Sequence, residues 1–236
     1  MRKWVIYVNG LNSEITQLLL HKFMTTTAFQ PLNYRFLPAP QRATTPTLVL
    51  LHGTGGDEND LIPVGQQLAP KFNLLSLRGN VLENGAPRFF RRLAMGVFDE
   101  EDLRFRADEL ANFLGKITGT EGLDPQKLIA VGYSNGANIG GALLLRHPLR
   151  LAGAVLWRAM LPLQEPGPPV TSNGAPVLLL SGSSDPYFQP AVMPRYAQWL
   201  TESGFRVEHQ VLAASHGLVT ADFQRTTDWL EQNFSA

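Results

Sequence analysis

Short apolar runs alternate with stretches of helical periodicity from about residue 34 to the end of the chain. Runs such as Thr47–Leu51 and Val177–Leu180 are apolar at nearly every position, which is typical of strands covered on both faces of a sheet. The pattern predicts seven strands: Tyr34–Leu37, Thr47–His52, Asn73–Leu77, Leu128–Gly132, Ala154–Trp157, Val177–Ser181 and Val207–Leu212.

Amphipathic helices are predicted between these strands. One apolar stripe follows the acidic run Asp99–Asp102, whose negative charge suits the positive end of a helix dipole. A second stripe predicts a helix at the C-terminus. Strands that alternate with helices indicate an α/β fold with a doubly wound, mostly parallel sheet. The first stripe consists of Leu103, Leu110, Phe113, Leu114 and Ile117, and the second of Val219, Phe223, Leu230 and Phe234.

Residues 1–31 do not continue this alternation. They contain a short apolar run, a predicted helix around Ile15–Phe23 and three successive threonines. We therefore predict an N-terminal appendage ahead of one domain formed by residues 32–236. Two interpretations stay open: a flexible or non-native tail that results from an upstream start codon, or an arm that binds a partner.

Composition and charge exclude several classes of protein. The 20 basic and 20 acidic residues cancel, so the broad positive field that nucleic-acid binding requires is missing. The absence of cysteine excludes disulfides, thiolate metal sites and a cysteine nucleophile. No apolar stretch is long enough to cross a membrane. The apolar residues near Met1 are interrupted too early for a secretory signal, so we expect a cytoplasmic protein.

The motif G-x-S-x-G follows one of the predicted buried strands and precedes a predicted helix. Its residues are Gly132, Ser134 and Gly136. A serine on a sharp strand-to-helix turn needs small neighbours, because larger ones clash with the strand and the helix. Gly140 and Gly141 allow the helix to pack closely on the sheet. The pattern predicts Ser134 as a nucleophile.

A serine hydroxyl needs a base within hydrogen-bond distance, and that base needs an orienting group. His216 lies between the last predicted strand and the last helix, where side chains meet at the carboxyl edge of a parallel sheet. Asp185 lies just beyond another strand end. We predict Ser134, Asp185 and His216 as a catalytic triad, whereas His209 lies within a strand and His147 at a helix end.

Acyl transfer also requires two N–H groups that point at the developing oxyanion. Asn135 supplies one at the start of the predicted helix. The loop His52–Glu58 contains three glycines within four residues, and we predict the N–H of Thr54 as the second donor.

The same loop admits other interpretations. It matches no phosphate-binding glycine pattern. Asp57 and Asp60 are predicted to cap a helix over Glu58–Leu68, and His52 is predicted to be structural.

These residues resemble the carboxylesterase, phospholipase and acyl-protein thioesterase family of α/β-hydrolases, and most strongly its bacterial carboxylesterases. The resemblance covers residues 32–236, and seven runs carry it. They are Leu51–Glu58, Arg78–Gly79, Glu83–Gly85, Arg88–Arg92, Gly132–Asn138, Gly182–Pro186 and Ser215–Gly217.

The resemblance implies an α/β-hydrolase fold, the triad Ser134, Asp185 and His216, and an oxyanion hole formed by Thr54 and Asn135. It also implies a hydrolase that needs no cofactor and is often dimeric. Acyl-protein thioesterases carry glutamine where this chain has Asn135, and this departure weakens the interpretation as an enzyme that deacylates proteins.

The expected substrate is a small to medium soluble ester, because the 18 residues 158–175 are too few for a lid domain. Thioesterase and lysophospholipase activity use the same triad and stay open. A non-catalytic small-molecule receptor on a hydrolase scaffold is the alternative from another class.

The connection Arg78–Asp102 is predicted to border the substrate pocket through Arg88, Phe89, Phe90 and Arg91. An arginine there would attract an anionic or aromatic substrate. The competing interpretation is a set of surface arginines above a separate hydrophobic cluster.

Overall fold

The computed structural model describes residues 28–165, 167 and 171–234. These residues form a central sheet with helices on both faces. The strands are β1 (Tyr34–Leu37), β2 (Thr47–Leu51), β3 (Asn73–Leu77), β4 (Val81–Glu83), β5 (Ala86–Arg88), β6 (Arg92–Ala94), β7 (Val97–Phe98), β8 (Leu128–Tyr133), β9 (Gly153–Trp157), β10 (Pro176–Gly182) and β11 (Arg206–Leu212). The helices are α1 (Ile62–Leu68), α2 (Glu100–Glu121), α3 (Asn135–Arg146), α4 (Met193–Glu202) and α5 (Thr220–Phe234).

Within the described residues, seven strands form the central sheet in the order β1-β3-β2-β8-β9-β10-β11. Only β1 runs antiparallel to its neighbour, β3, and the other pairs are parallel. The predicted mostly parallel sheet is confirmed. Parallel strands place all their carboxyl ends at one edge, and that edge carries the candidate site.

The side chains of the central strands pack alternately into two separate hydrophobic cores. In β2, Val49 and Leu51 pack with α2, α3 and α4, whereas Leu48 and Leu50 pack with α1 and α5. All five residues of β2 are buried. This two-sided burial is the physical reason that the strand has no alternating polar positions.

Helix α2 begins as its sequence predicts. The side chain of Asp99 accepts a hydrogen bond from the N–H of Asp102, and the first turn carries three acidic residues. Leu103, Leu110 and Leu114 of the predicted stripe are fully buried. Gly122 caps the end of the helix, and its φ of 63° is a left-handed conformation that favours glycine.

Helix α1 differs from its prediction, because it begins at Ile62 and not at Glu58. Asp57 and Asp60 therefore do not cap it, and the Oδ1 of Asp57 accepts from the N–H of Asn59 in a turn. Pro63 stands in the first turn of the helix. A proline there needs no hydrogen-bond acceptor and has a helical φ, so it fixes the start of the helix.

The connection after β3 contains two small hairpins, β4–β5 and β6–β7, which the sequence pattern does not predict. Strands of two or three residues are too short to show a period.

The helix predicted around Ile15–Phe23, and most of the predicted appendage, lie outside the described residues. None of the described helices combines the length and the apolar character needed to cross a bilayer.

Candidate active site

Ser134 lies on the sharp turn between β8 and α3. Its φ of 54° and ψ of −110° belong to a region that residues with a side chain rarely adopt. Two backbone hydrogen bonds hold this conformation: the N–H of Ser134 donates to the Trp157 carbonyl at 2.9 Å, and the N–H of Asn138 donates to the Ser134 carbonyl at 3.0 Å. The turn therefore projects the hydroxyl from the carboxyl edge of the sheet.

The two glycines of the motif are required by space. A Cβ atom on Gly136 would overlap the carbonyl oxygen of Leu51 in the neighbouring strand. A Cβ atom on Gly132 would contact the backbone of Gly136 at 2.5 Å. The strand, the turn and the helix can approach this closely only when both positions lack a side chain.

Replacing Gly136 by alanine is expected to lower the free energy of unfolding by about 3 kcal/mol or more, because the new methyl group displaces a central strand. Urea denaturation measures this change. Gly119→Ala is the matched control, since Gly119 is exposed on α2 with open space around it. That control should gain up to about 1 kcal/mol from helix propensity. Equal stability of Gly136→Ala and the native chain would contradict the packing argument.

The three side chains predicted to act together lie in one hydrogen-bonded row. The Nε2 of His216 is 3.0 Å from the Oγ of Ser134, and its Nδ1 is 2.9 Å from the Oδ2 of Asp185. The Asp185 side chain is 3% exposed. Its Oδ1 accepts the N–H of Tyr187 at 2.9 Å. The carboxylate is thus fixed by two donors and directed at the imidazole.

Two tyrosines enclose the imidazole of His216. The ring of Tyr187 lies 5.1 Å from it edge to face, and the ring of Tyr133 lies 5.5 Å away. The hydroxyl of Tyr133 donates to the His216 carbonyl at 3.2 Å. Burial raises the pKa of Tyr133 above its ordinary value, so its phenol keeps the proton that it donates. These contacts limit the rotation of the imidazole.

Arg158 is a residue of the site that the sequence analysis missed. It follows β9 with a φ of 57°, and its guanidinium is completely buried against Asp222, with distances of 2.7 and 2.8 Å. Its Nε donates to the Ser215 carbonyl at 2.9 Å and its Nη2 to the Gly217 carbonyl at 3.0 Å. These carbonyls flank His216, so Arg158 holds the loop that presents the imidazole.

The two predicted oxyanion donors, Thr54 and Asn135, line the same cavity as Ser134. Asn135 is the first residue of α3, where backbone N–H groups have no acceptor within the helix. The N–H of Thr54 has no acceptor in the described part of the chain. The N–H of Gly55, which follows it, donates to the Pro87 carbonyl at 2.9 Å and ties this loop to the β4–β5 hairpin.

Asn135 and Asn138 have side-chain roles that sequence reasoning did not identify. The Oδ1 of Asn135 accepts the N–H of Phe89 at 2.7 Å, and the Oδ1 of Asn138 accepts the N–H of Met160 at 2.8 Å. Both side chains are buried. The first turn of α3 therefore fixes two of the segments that surround the serine.

His52 occupies a supporting position behind the glycine-rich loop. Its Nδ1 lies 2.6 Å from the Gly53 carbonyl and its Nε2 accepts the N–H of Gly79 at 3.1 Å. Burial lowers the pKa of His52 below its ordinary value, which keeps the imidazole neutral and suits one donating and one accepting nitrogen. These contacts agree with a structural role.

A cavity of about 330 Å³ opens above Ser134 and His216. Apolar side chains of Met95, Phe98 and Met160 form part of its wall. The described residues contain no cluster of three His, Asp or Glu side chains arranged to hold a metal. The polar side chains that line the cavity carry hydroxyl, imidazole, amide and guanidinium groups.

Only one of the four side chains predicted to border the pocket lines this cavity, and it is Arg88. Phe89 and Phe90 belong to the buried core beneath it. The guanidinium of Arg91 turns outward and pairs with Asp99 at 3.0 Å. Neighbouring residues of an extended segment point in different directions, so the chain can bring only part of the run to the cavity.

The family model described as phospholipase/carboxylesterase matches residues 32–234 of this chain. The putative hydrolase MhqD of Bacillus subtilis is 39% identical over 185 residues, which cover 78% of this chain and 92% of that protein. The carboxylesterase of Bacillus cereus has a similar structure, with a TM-score of 0.82 and 36% identity over 92% of this chain and 99% of that one. A carboxylesterase from Mesorhizobium loti gives a TM-score of 0.77 and 28% identity over 84% and 94%.

Proposed function

Because the chain belongs to the phospholipase/carboxylesterase family of hydrolases, we propose that it is a serine carboxylesterase with Ser134, Asp185 and His216 as its catalytic triad. The observation that carries the proposal is the hydrogen-bonded row from hydroxyl to imidazole to carboxylate. Its two distances, 3.0 and 2.9 Å, lie within the range that proton transfer requires.

In the first half of the proposed reaction, the Nε2 of His216 takes the proton of the Ser134 hydroxyl while its Oγ attacks the ester carbonyl carbon. The buried carboxylate of Asp185 accepts the Nδ1 proton, which selects the tautomer with a free Nε2. It also stabilises the imidazolium that forms. The tetrahedral intermediate then breaks the bond to the alcohol oxygen, and His216 returns the proton to the leaving alcohol.

The negative charge that develops on the substrate oxygen needs donors that are already in place. The backbone N–H groups of Thr54 and Asn135 fill this role in our proposal. The Thr54 loop is tied to the β4–β5 hairpin, and Asn135 stands at the positive end of the α3 dipole. Neither group has to reorganise when the oxyanion forms.

In the second half, a water molecule attacks the acyl-enzyme and His216 accepts its proton. The same oxyanion forms again, the bond between the acyl carbon and the Oγ of Ser134 then breaks, and His216 returns its proton to that Oγ as the carboxylic acid leaves. Water is the only co-reactant.

The size of the cavity and the nature of its cover favour small to medium soluble esters. Its volume of about 330 Å³ lies at the lower end of ligand pockets. Between β9 and β10, the described residues form no helix or strand that would act as a lid.

A panel of acyl donors tests this function. We expect turnover of p-nitrophenyl acetate and butyrate, with lower kcat/KM for a butyryl thioester and for a lysophospholipid. The lower kcat/KM for the lysophospholipid is expected because the cavity is small. Higher kcat/KM for the thioester or the lysophospholipid would replace the carboxylesterase assignment by that activity. Binding without turnover of any of the four would indicate a receptor.

A further inference from the structure

The charged side chains on the cavity wall are arginines. Arg88, Arg92 and Arg158 line it, and no Asp or Glu of the described residues does. The charge of Arg158 is compensated by Asp222, and its remaining N–H groups donate to backbone carbonyls. The charge that faces a bound ester therefore depends on Arg88 and Arg92.

These two guanidinium groups share one carboxylate. Arg92 approaches the Oε1 of Glu83 to 2.8 Å, and the Nε of Arg88 lies 3.2 Å from its Oε2. Two cations against one anion leave a local surplus of one positive charge. The Arg88 side chain is 3% exposed, so water does little to compensate that surplus, and a buried charge without compensation is unfavourable.

The pKa of Arg88 also indicates an uncompensated positive charge. Burial, together with repulsion from Arg92, lowers the pKa of the Arg88 guanidinium although Glu83 opposes the change. The surroundings thus disfavour the cation that they contain. A negative group in the cavity would reverse this imbalance.

A hydrogen-bond donor on the same wall also lacks an acceptor. Arg88 donates from Nε to the Phe90 carbonyl at 3.1 Å and from Nη1 to the Oγ1 of Thr54 at 2.6 Å. Its Nη2 makes no hydrogen bond with any described residue. A carboxylate has two oxygens that accept from such donors.

We propose that the ester hydrolysed at this site carries a carboxylate, which Arg88 binds with Arg92 beside it. The substrate class is an anionic carboxylic ester. This inference rests on the proposed esterase function for its substrate, but the carboxylate site itself can be tested by binding alone.

If Arg88 only supports the loop of Thr54, a different result is expected. Its hydrogen bond to Thr54 would position an oxyanion donor for every ester, charged or neutral. Loss of that bond lowers kcat/KM equally for both kinds of substrate. Recognition of a carboxylate lowers it mainly for the anionic one, so the ratio of the two values separates the roles.

The experiment uses two pairs of esters in which an amide replaces the carboxylate. The first pair is p-acetoxybenzoate and p-acetoxybenzamide, which place the group on the alcohol side. The second pair is mono-p-nitrophenyl glutarate and the p-nitrophenyl ester of glutaramic acid, which place it on the acyl side. The ratio of kcat/KM for the anionic member to that for the neutral member is measured for each protein.

The native chain is expected to prefer the anionic member of at least one pair. Arg88→Gln should lower that ratio about tenfold to a hundredfold, which corresponds to the loss of a charged hydrogen bond. Arg88→Lys should retain part of it, and Arg92→Gln should lower it less. Arg91 belongs to the same connection, but its side chain points away from the cavity. Arg91→Gln should therefore leave the ratio unchanged. Ratios that stay equal in all variants would overturn the proposal.

Binding to the Ser134→Ala variant distinguishes the two possible failures. Calorimetry with the unhydrolysed esters is expected to give tighter binding for the anionic member, and Arg88→Gln in the same background should remove the difference. If the native chain hydrolyses no ester but this difference remains, the carboxylate site stands and the esterase function fails. If both members are hydrolysed and bound equally, anion recognition fails and the esterase function stands.

Discussion

Ser134→Ala is expected to reduce kcat for p-nitrophenyl butyrate roughly a million-fold, the loss that follows removal of the nucleophile from a triad. The reason is that the Oγ of Ser134 forms the covalent bond to the acyl group, and no other described side chain occupies its place beside His216. Steady-state kinetics measure the loss. Circular dichroism and urea denaturation of the same sample check that the fold is retained.

Two further variants act as controls for this prediction. Ser183→Ala removes an exposed hydroxyl from the loop after β10 and should leave kcat unchanged. Ser134→Gly should be as inactive as Ser134→Ala but more stable by about 1 kcal/mol, since glycine adopts a φ of 54° without strain. Residual turnover of a few per cent in both Ser134 variants would refute the nucleophile assignment.

Arg158→Met is expected to lower both stability and activity. Its side chain and that of Asp222 are completely buried, and removing one partner leaves a buried charge that costs about 3–5 kcal/mol. The carbonyls of Ser215 and Gly217 also lose their donor, so the loop that presents His216 is no longer fixed. Urea denaturation measures the first effect and kcat for p-nitrophenyl butyrate the second.

The double variant Arg158→Met/Asp222→Leu separates the two effects. With both charges replaced by apolar groups, much of the lost stability should return. The activity should stay low, because methionine cannot donate to the carbonyls on either side of His216. Full recovery of kcat in the double variant would show that Arg158 acts on stability alone.

The fold follows closely from the sequence because its central strands are buried on both faces. The predicted strands Tyr34–Leu37 and Asn73–Leu77 have the same bounds in the structure, and the predicted Val177–Ser181 is one residue shorter than β10 at each end. The α/β-hydrolase fold expected from the resemblance is confirmed by the family match and the related structures. A run of apolar residues between turns leaves few alternatives to a buried strand.

Features that depend on a single contact between distant residues were not predictable. Asp222 lies on α5 among polar residues that are mostly exposed, and only the packing of α5 against the sheet brings it to Arg158. The helix start at Ile62 was missed because the acidic residues before it resemble caps. Pro63, the residue that fixes this start, carries a weaker signal in the sequence.

The substrate pocket shows the same limit. The sequence identified the connection Arg78–Asp102 as its border, and Arg88, Arg92 and Phe98 of that connection line the cavity. It did not identify which side chains of the run Arg88–Arg92 face inward, because two short hairpins set their directions. The appendage of residues 1–31, a homodimer and a cytoplasmic location stay predictions.

Labelling with a fluorophosphonate, followed by peptide mass spectrometry, tests the central claim most directly. We expect one phosphonyl adduct, on Ser134, and labelling at least about a hundredfold slower in His216→Ala, because general-base catalysis is lost. An adduct on another serine, or labelling of Ser134 at the native rate without the imidazole, would contradict it.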